Sequence, residues 1–277
     1  MFLMLLSGTY QSESQKFFTS FFGGISTYQG DLVERPLALE QSKFAWGVGL
    51  LVELNDRMFI RGDFTSGKLS GDDRLGVKNR QRNLNFFSNI YEFSLGFEYV
   101  LFNLYDYKVS PYVFTGISRY SFSPKTLSDD GNEVSLFELN TEGQGFYKNR
   151  KPYKLRQFAI PFGGGLQWAI TDNKRIGFVI GIRKTFTDYI DDVSTTYVDK
   201  DILFANRRNA PAFAYRGDEL PNGDPYPPDG TKRGNPTSKD WYYFSGITLR
   251  VRIQPGKQKQ HYSQKFKRAK VTCPKPM

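Results

Sequence analysis

The sequence contains very little of the residue types on which most enzymes and metal sites depend. Its 277 residues include one cysteine, Cys273, and one histidine, His261, both near the C-terminus. A single cysteine excludes an internal disulfide framework and a zinc site built from cysteines. A single histidine removes that side chain from almost every catalytic or metal-binding arrangement in the body of the chain. We therefore predict a protein without catalytic residues, cofactor or bound metal.

Long apolar runs and helical periodicity are also scarce. No segment approaches the roughly 20 continuous apolar residues of a transmembrane helix, and the mean hydropathy is −0.50. A low mean hydropathy is compatible with a membrane β-barrel, because its strands alternate apolar and polar residues. The apolar start, Met1–Leu6, is typical of the end of a signal peptide but lacks the usual basic residues before it. A native start of the chain is the alternative.

Positive charge is abundant but unevenly distributed. The formal net charge is +10, and residues 254–277 hold seven lysines and arginines without one acidic residue, which leaves +3 for the remaining 253 residues. Clustered positive charge can bind nucleic acid, anionic lipid, peptidoglycan or an acidic protein surface. The basicity is therefore mainly a property of a C-terminal tail.

Alternation of apolar and polar residues with period 2 is the dominant pattern. It is strongest in 44–54, 91–101, 158–170 and 247–253, and weaker in 16–29, 57–65, 110–123 and 174–187. One face is rich in aromatic and aliphatic residues, while the other carries glycine, alanine, serine and isolated charges. These charges are Glu53, Arg61, Glu92, Glu98, Arg119, Arg183, Arg250 and Arg252. A face of this composition suits the crowded interior of a narrow barrel; a soluble sandwich or lipocalin-like barrel is the alternative.

The connections between these segments alternate between long and short. Residues 30–42, 66–85, 124–154 and 188–240 form long connections, and 55–56, 103–109 and 171–173 form short ones. Outer-membrane barrels have this pattern, with short periplasmic turns and long extracellular loops. We predict an all-β, eight-stranded antiparallel up-and-down transmembrane β-barrel over residues 16–253. The N-terminal segment 1–15 precedes it, and a basic tail, 254–277, follows it; an even strand number places both termini in the periplasm.

Several short motifs occur in a characteristic order along the chain. They are Gly30-Asp31-Leu32, Gly67-Lys68-Leu69-Ser70-Gly71-Asp72-Asp73, Thr141-Glu142-Gly143-Gln144-Gly145, the segment 183–197 beginning Arg183-Lys184-Thr185-Phe186, Arg233-Gly234-Asn235, Lys239-Asp240-Trp241-Tyr242, Phe244-Ser245-Gly246-Ile247-Thr248-Leu249 and Val271-Thr272-Cys273-Pro274-Lys275. With these motifs, residues 20–277 resemble the PorG-type outer-membrane barrel of the type IX secretion system of Bacteroidota. The segment 183–197 is the most specific part of the resemblance.

The resemblance implies a non-enzymatic, integral outer-membrane component of this secretion and gliding-associated machinery. It would tether a periplasmic lipoprotein ring, of PorK and PorN or GldK and GldN type, to the outer membrane. The surrounding partners would be outer-membrane lipid and lipopolysaccharide, and the compartment excludes nucleic acid. A small barrel for transport or for binding an extracellular ligand is the alternative function.

Three groups of residues are the candidate functional positions. The periplasmic partner contact is predicted at Lys257, Lys259, Tyr262, Lys265, Phe266, Lys267, Arg268, Lys270 and Cys273. A charge network is predicted in the lumen at Glu53, Arg61, Glu92, Glu98, Arg183, Arg250 and Arg252, where ion pairs would plug the barrel and prevent stable conductance. An ion path through an open pore is the alternative. The acidic residues at strand exits, such as Asp188 and Asp191, are expected to serve turns. Alternatively, these two pin the long fourth loop over the barrel by pairing with Arg183 or Lys184.

Overall fold

Eight long antiparallel strands form the body of the protein in the computed structural model, which describes residues 16–33, 35–76 and 78–253. The strands are β1 Lys16–Gln29, β2 Lys43–Asn55, β3 Met58–Asp72, β4 Asn85–Val100, β5 Val109–Leu127, β6 Glu133–Ser135 (a short strand beside the end of β5), β7 Arg156–Thr171, β8 Lys174–Thr185 and β9 Trp241–Arg252. Three short helices lie in the connections: α1 Leu136–Leu139, α2 Lys200–Asn206 and α3 Ala210–Ala214.

The eight long strands close into a ring. Hydrogen-bonded neighbours follow the order β4-β3-β2-β1-β9-β8-β7-β5, and β5 pairs back with β4. Every pairing is antiparallel. The prediction of an all-β, eight-stranded antiparallel barrel is therefore confirmed. Among the described residues, no helix is long and apolar enough to cross a membrane.

Some strands are longer than their alternation predicts. β3 continues to Asp72 instead of ending near residue 65, and β9 begins at Trp241 rather than in the run that starts at Ile247. In β3, backbone pairing continues past the apolar belt, where the outward positions become polar. The added part of β9 is aromatic on both faces, with Trp241 and Tyr243 outward and Tyr242 and Phe244 inward. Period 2 marks the part of each strand that is apolar on one side only, so it misses these extensions.

The outer surface of the ring is apolar. Outward side chains such as Phe44, Phe93, Ile117 and Phe158 expose 62–70% of their area. A continuous apolar surface of this extent is unfavourable in water and matches a lipid environment. Together with the closed ring, which leaves no unpaired strand edge, this identifies an outer-membrane type of transmembrane barrel.

One charged residue lies on the opposite face from the one predicted. Arg119 points outward, where its neighbours across the strands are the exposed Phe93 and Phe158. The residues that follow it, Tyr120 to Ser123, alternate aromatic and serine, and the two aromatics are buried. Below Arg119, β5 carries apolar side chains on both faces, with Val113 and Ile117 outward and Tyr112 and Phe114 buried. The alternation of β5 therefore does not show which face Arg119 occupies, which explains the wrong assignment.

The two ends of the barrel differ strongly. The turn end carries the connections 56–57, 101–108 and 172–173, together with the start of β1 and the end of β9. The loop end carries 30–42, 73–84, 128–155 and 186–240. The strict alternation of short and long connections is the one predicted from the sequence. We call the packed part of the loop end, formed by 30–33, 73–84, 139–155 and 186–240, the cap.

Candidate functional site: the lumen and the cap

Near the turn end, the lumen contains a group of charges around Glu53. Its carboxylate lies 2.6 Å from Lys16 Nζ and 3.7 Å from Arg175 Nη2, and it accepts a hydrogen bond from the Tyr105 hydroxyl at 2.7 Å. The Arg175 guanidinium also lies over the ring of Phe18, 4.5 Å from its centroid. The charge of Glu53 is thus balanced within the barrel wall.

The centre of the lumen is held by Glu98. Its two oxygens accept hydrogen bonds from both Nη atoms of Arg250, at 2.5 and 2.9 Å, which is a bidentate arrangement. Arg61 Nη1 lies 3.1 Å from the same carboxylate and also pairs with Asp63 through Nε at 2.8 Å. The Gln167 amide donates a further hydrogen bond to Glu98 at 2.8 Å. Four strands are tied together through one carboxylate.

Toward the loop end, Glu92 forms the third group. It pairs with Arg183 at 2.9 Å and accepts a hydrogen bond from the Tyr242 hydroxyl at 2.6 Å. Arg183 also stacks on Phe244 at 4.6 Å. Ion pairs therefore occur at successive heights of the lumen, and an eight-stranded barrel is narrow enough for such side chains to fill it.

Six of the seven predicted lumen residues take part in these groups. Arg252 occupies an inward-facing position of β9. It forms no ion pair with a described residue, and its Nε has no hydrogen-bond partner among those residues. Sequence reasoning missed Lys16, Asp63 and Arg175. The inward position of Arg175 could have been predicted, because it lies eight residues before Arg183 on β8 and residues an even number apart face the same side of a strand. Nothing comparable identified Lys16, at the very start of β1.

The centre of the cap is Arg233, whose side chain is 1% exposed. Its Nη1 donates to Glu142 Oε1 at 3.0 Å and to the Asp192 carbonyl at 2.6 Å, and its Nε donates to the Ala214 carbonyl at 3.1 Å. Glu142 additionally accepts the backbone N–H groups of Ser194 and Thr195. Through these contacts, Arg233 and Glu142 are joined to each other and to the loop segments around residues 192–195 and Ala214.

Arg82 attaches the 73–84 loop to this centre. Its Nε and Nη2 donate to the two carboxylate oxygens of Asp73, both at 2.7 Å, in a bidentate contact. The Arg82 guanidinium also donates to the backbone carbonyls of Arg233 and Asp31. The Asp31 carboxylate in turn accepts the backbone N–H of Asn235. The first, second and fourth long connections are thus joined through buried polar contacts.

Below this centre, two buried carboxylates share one tyrosine. The Tyr28 hydroxyl lies 2.7 Å from Asp191 Oδ2 and 2.9 Å from Asp240 Oδ1. A phenol has a single hydrogen to donate, so the second contact requires a proton on one of the two acids. Burial, together with the neighbouring carboxylates, raises the pKa of both Asp191 and Asp240 well above the ordinary value, which fits a shared proton.

The partners of Asp188 and Asp191 differ from the predicted alternative. Asp188 accepts a hydrogen bond from the Ser194 hydroxyl at 2.7 Å, and Asp191 contacts Tyr28. Arg183 faces into the lumen, where it pairs with Glu92, and Lys184 faces outward from β8, so neither cation pairs with the loop acids. The predicted pairing with Arg183 or Lys184 is therefore wrong.

Two further cap carboxylates have raised pKa values. Burial raises the pKa of Asp188 to about 7 and that of Asp192 to about 7, and the nearby Arg233 only partly offsets the effect at Asp192. Asp192 accepts hydrogen bonds from the hydroxyls of Thr141 and Tyr153. Both acids therefore change protonation near neutral pH in the folded cap.

This titration predicts a cap that loosens as pH rises. The folded-state pKa exceeds the unfolded value near 4, so the protonated acids stabilise the cap below about pH 4, and this contribution is lost as pH increases through about 7. Hydrogen exchange of segment 186–197, corrected for intrinsic rates, should show faster opening at pH 8 than at pH 5. The variant D188N/D192N should weaken the pH dependence, and Asp191 and Asp240, whose pKa values are also raised, account for the part that remains. Asparagine tolerates the positive φ of 65° at position 192. Faster opening at the lower pH would contradict the assignment.

Other acidic residues serve local structure. Asp72 caps a short 3₁₀ turn by accepting the backbone N–H of Arg74, as expected for an acid in a turn. Asp129 pairs with Arg216, and Glu133 pairs with Lys125. Within the described ranges, no group of three or more His, Cys, Asp or Glu side chains is arranged to hold a metal ion.

The turn end presents compact polar turns. The Asn55 side chain accepts the backbone N–H groups of Arg57 and Met58, and Thr171 Oγ1 does the same for Asn173 and Lys174. The predicted partner-contact residues between Lys257 and Cys273 lie outside the described residues, as does His261.

The chain matches one family model and is similar to several solved structures. A search of curated proteins returns no match to the sequence. Among solved structures, Neisserial surface protein A is similar at 9% identity and a TM-score of 0.44, covering 86% of this chain and 97% of that chain. A major outer membrane protein from Thermus thermophilus is similar at 11% identity and a TM-score of 0.44, covering 87% and 100%. Ail of Yersinia pestis is similar at 12% identity and a TM-score of 0.40, covering 86% and 99%. A family model described as "Domain of unknown function (DUF6089)" matches residues 1–220, more than three-quarters of the chain, and the protein therefore belongs to the DUF6089 family.

Proposed function

We propose that this protein is a non-conducting outer-membrane anchor of the type IX secretion machinery, which holds the periplasmic ring at the membrane. The observation that carries the proposal is the filled lumen. Glu53, Glu98 and Glu92 each bind an arginine at a different height, so ion pairs cross the lumen at three levels. The barrel would then serve as a rigid membrane-fixed base without an open path.

The cap supports the same function. The segment 183–197, which carries the most specific resemblance to PorG-type barrels, supplies Asp191, Asp192, Ser194 and Thr195 to the buried centre of the cap. The motifs around Glu142 and Arg233 converge on the same place. The residues that define the resemblance thus hold the loop end closed, which suits a structural component better than a transporter.

Contact with the ring is proposed at the turn end. Barrels of this type place short turns in the periplasm and long loops outside, so the turn end and both termini would face the periplasm. The short turns around Asp56 and Asp172 would supply part of the contact surface. The basic tail, from Lys257 to Cys273, would supply the rest by binding an acidic surface of the lipoprotein ring.

Deletion of residues 255–277 tests this proposal. We expect the shortened barrel to insert normally but to lose co-purification with the ring, because the seven positive charges of the tail are removed. The measurement is a pull-down from detergent-solubilised outer membrane, with an affinity tag inserted between the exposed Asp130 and Gly131. A tail of equal length with its lysines and arginines changed to glutamine separates charge from length. Unchanged co-purification of the deletion variant would contradict tail docking.

The alternative, a barrel that binds an extracellular partner, is favoured by one feature. Helix α2 exposes Ile202 by 42% and Phe204 by 52% at the loop end. If I202S/F204S abolished secretion while co-purification with the ring persisted, the external surface would be the functional one. Unchanged secretion in this variant would favour the anchor.

A further inference from the structure

On the outward face of the barrel, the side chains of several strands change from uncharged to charged at one height along the barrel axis. Three cations point outward from alternate strands of one side of the barrel: Lys68 on β3, Arg119 on β5 and Lys184 on β8. Each lies ten residues from the turn-end start of its strand, which is Met58, Val109 and Lys174, respectively. Ten residues at about 3.4 Å each, tilted by about 40°, rise about 26 Å. The lipid-facing band of such barrels is about 25 Å tall, so the three cations mark its edge at the loop end.

The positions below these cations on the same three strands are uncharged. Between Lys174 and Lys184, the outward residues of β8 are isoleucines and Phe178, and β5 presents Val109, Pro111, Val113, Thr115 and Ile117 below Arg119. Around the cations, polar groups appear. Asn89 lies opposite Lys68, and Ser121 follows Arg119 on the outer face. The chain therefore places its first outward charges where lipid headgroups begin.

In the described part of the chain, no acid pairs directly with any of the three cations, in contrast to the arginines of the lumen. Lys68 has one acid nearby, Glu133, whose pKa is lowered by its hydrogen bond to Lys125 and by the charges of Lys125 and Lys68. The Lys68 ammonium lies over the Phe87 ring at 3.9 Å, while Arg119 lies between Phe93 and Phe158. A fourth exposed cation, Arg156, lies opposite Ser121, about 7–8 Å from Arg119 by strand geometry. Unpaired cations at the edge of an apolar band attract anionic groups of the headgroup layer.

We propose that Lys68, Arg119 and Lys184, with Arg156 above them, bind the phosphate groups of the phosphorylated glycolipid of the outer leaflet. The assignment rests on the proposed orientation, in which the loop end faces outward. Arginine forms bidentate contacts with phosphate and lysine acts as a point charge. Neighbouring cations are two strands apart and offset along the strands by four residues for Lys68 and Arg119 and by two for Arg119 and Lys184. At strand spacings these offsets correspond to about 17 Å and about 12 Å, which suits a headgroup with more than one phosphate better than a single phosphodiester.

The test uses the full-length protein in detergent micelles, titrated with bisphosphorylated lipid A, with the same lipid after removal of both phosphates, and with phosphatidylglycerol. Native mass spectrometry measures the bound lipid. We expect wild type to bind bisphosphorylated lipid A at least tenfold more tightly than the dephosphorylated form. The variant K68Q/R119Q/K184Q should lose this preference, whereas the matched variant R57Q/K108Q/K174Q, which removes three exposed cations from the turn end, should keep it.

Three results would overturn the proposal. Equal binding of both lipid A forms by wild type would exclude phosphate recognition. An equal loss of preference in the turn-end variant would show a nonspecific charge effect. Binding of phosphatidylglycerol as tight as that of bisphosphorylated lipid A would exclude a glycolipid site. Orientation is checked separately by labelling a cysteine introduced at the exposed Gly131 on intact cells, so a wrong orientation is distinguishable from a wrong ligand.

Discussion

Replacing Arg233 by methionine should open the cap while leaving the barrel folded. The Arg233 side chain is 1% exposed, and the carboxylates of Glu142 and Asp192 beside it are fully buried. Removing the cation leaves both acids without their main counter-charge and also removes three hydrogen bonds to loop atoms. Breaking a buried ion pair from one side costs about 3–5 kcal/mol, and we expect this loss to fall on the closed state of the cap, because the contacts of Arg233 are made there.

Hydrogen exchange and limited proteolysis of segment 186–240 measure the effect. Protection in this segment should fall by two or more orders of magnitude in R233M, since about 3 kcal/mol corresponds to more than a hundredfold change. The barrel should retain its heat-modifiable migration, because the described contacts of Arg233 are to loop residues. K148M is the matched control: Lys148 is 65% exposed and pairs with Asp229 of the same segment, and exposed pairs of this kind contribute little to stability. Equal protection in R233M and K148M would refute the central role of Arg233.

The sequence predicted the barrel because a membrane imposes a strict rule on strands. Positions that face lipid must be apolar, so β2, β4 and β7 carry an unmistakable period of two, and parity alone places Glu92 and Glu98 inside. The rule is weaker where a strand leaves the lipid layer. For that reason the extension of β3 to Asp72 was missed, and Arg119 was placed on the wrong face.

The cap could not be predicted in the same way. Its contacts join residues that are far apart in the chain: Arg233 and Glu142 are separated by 91 positions, and Tyr28 and Asp240 by 212. Loop residues have no periodicity that would indicate which of them are buried. Their motifs were visible in the sequence, but only the folded chain brings Thr141-Glu142-Gly143, Asp191-Asp192 and Arg233-Gly234 together.

Replacing Glu98 by leucine should destabilise the barrel itself more than any single change at the turn end. Glu98 is 2% exposed and engages Arg250, Arg61 and Gln167. In E98L, Arg250 is left as a buried cation without its partner, whereas Arg61 retains Asp63 at 2.8 Å. We expect a loss of about 3–5 kcal/mol, measured as a shift in the urea midpoint of heat-modifiable migration or tryptophan fluorescence.

The double variant E98L/R250M separates the ion pair from its surroundings. It removes both charges together, so neither member of this pair is left without its partner, and replacement of a buried pair by apolar side chains is often neutral or stabilising. Most of the stability lost in E98L should therefore return. Planar bilayer recordings supply the second readout: wild type and the double variant should show no discrete channels, because the Glu53 and Glu92 groups still close the lumen on either side. Large discrete conductance in wild type would refute the closed lumen, and with it the rigid base from which an anchor would act.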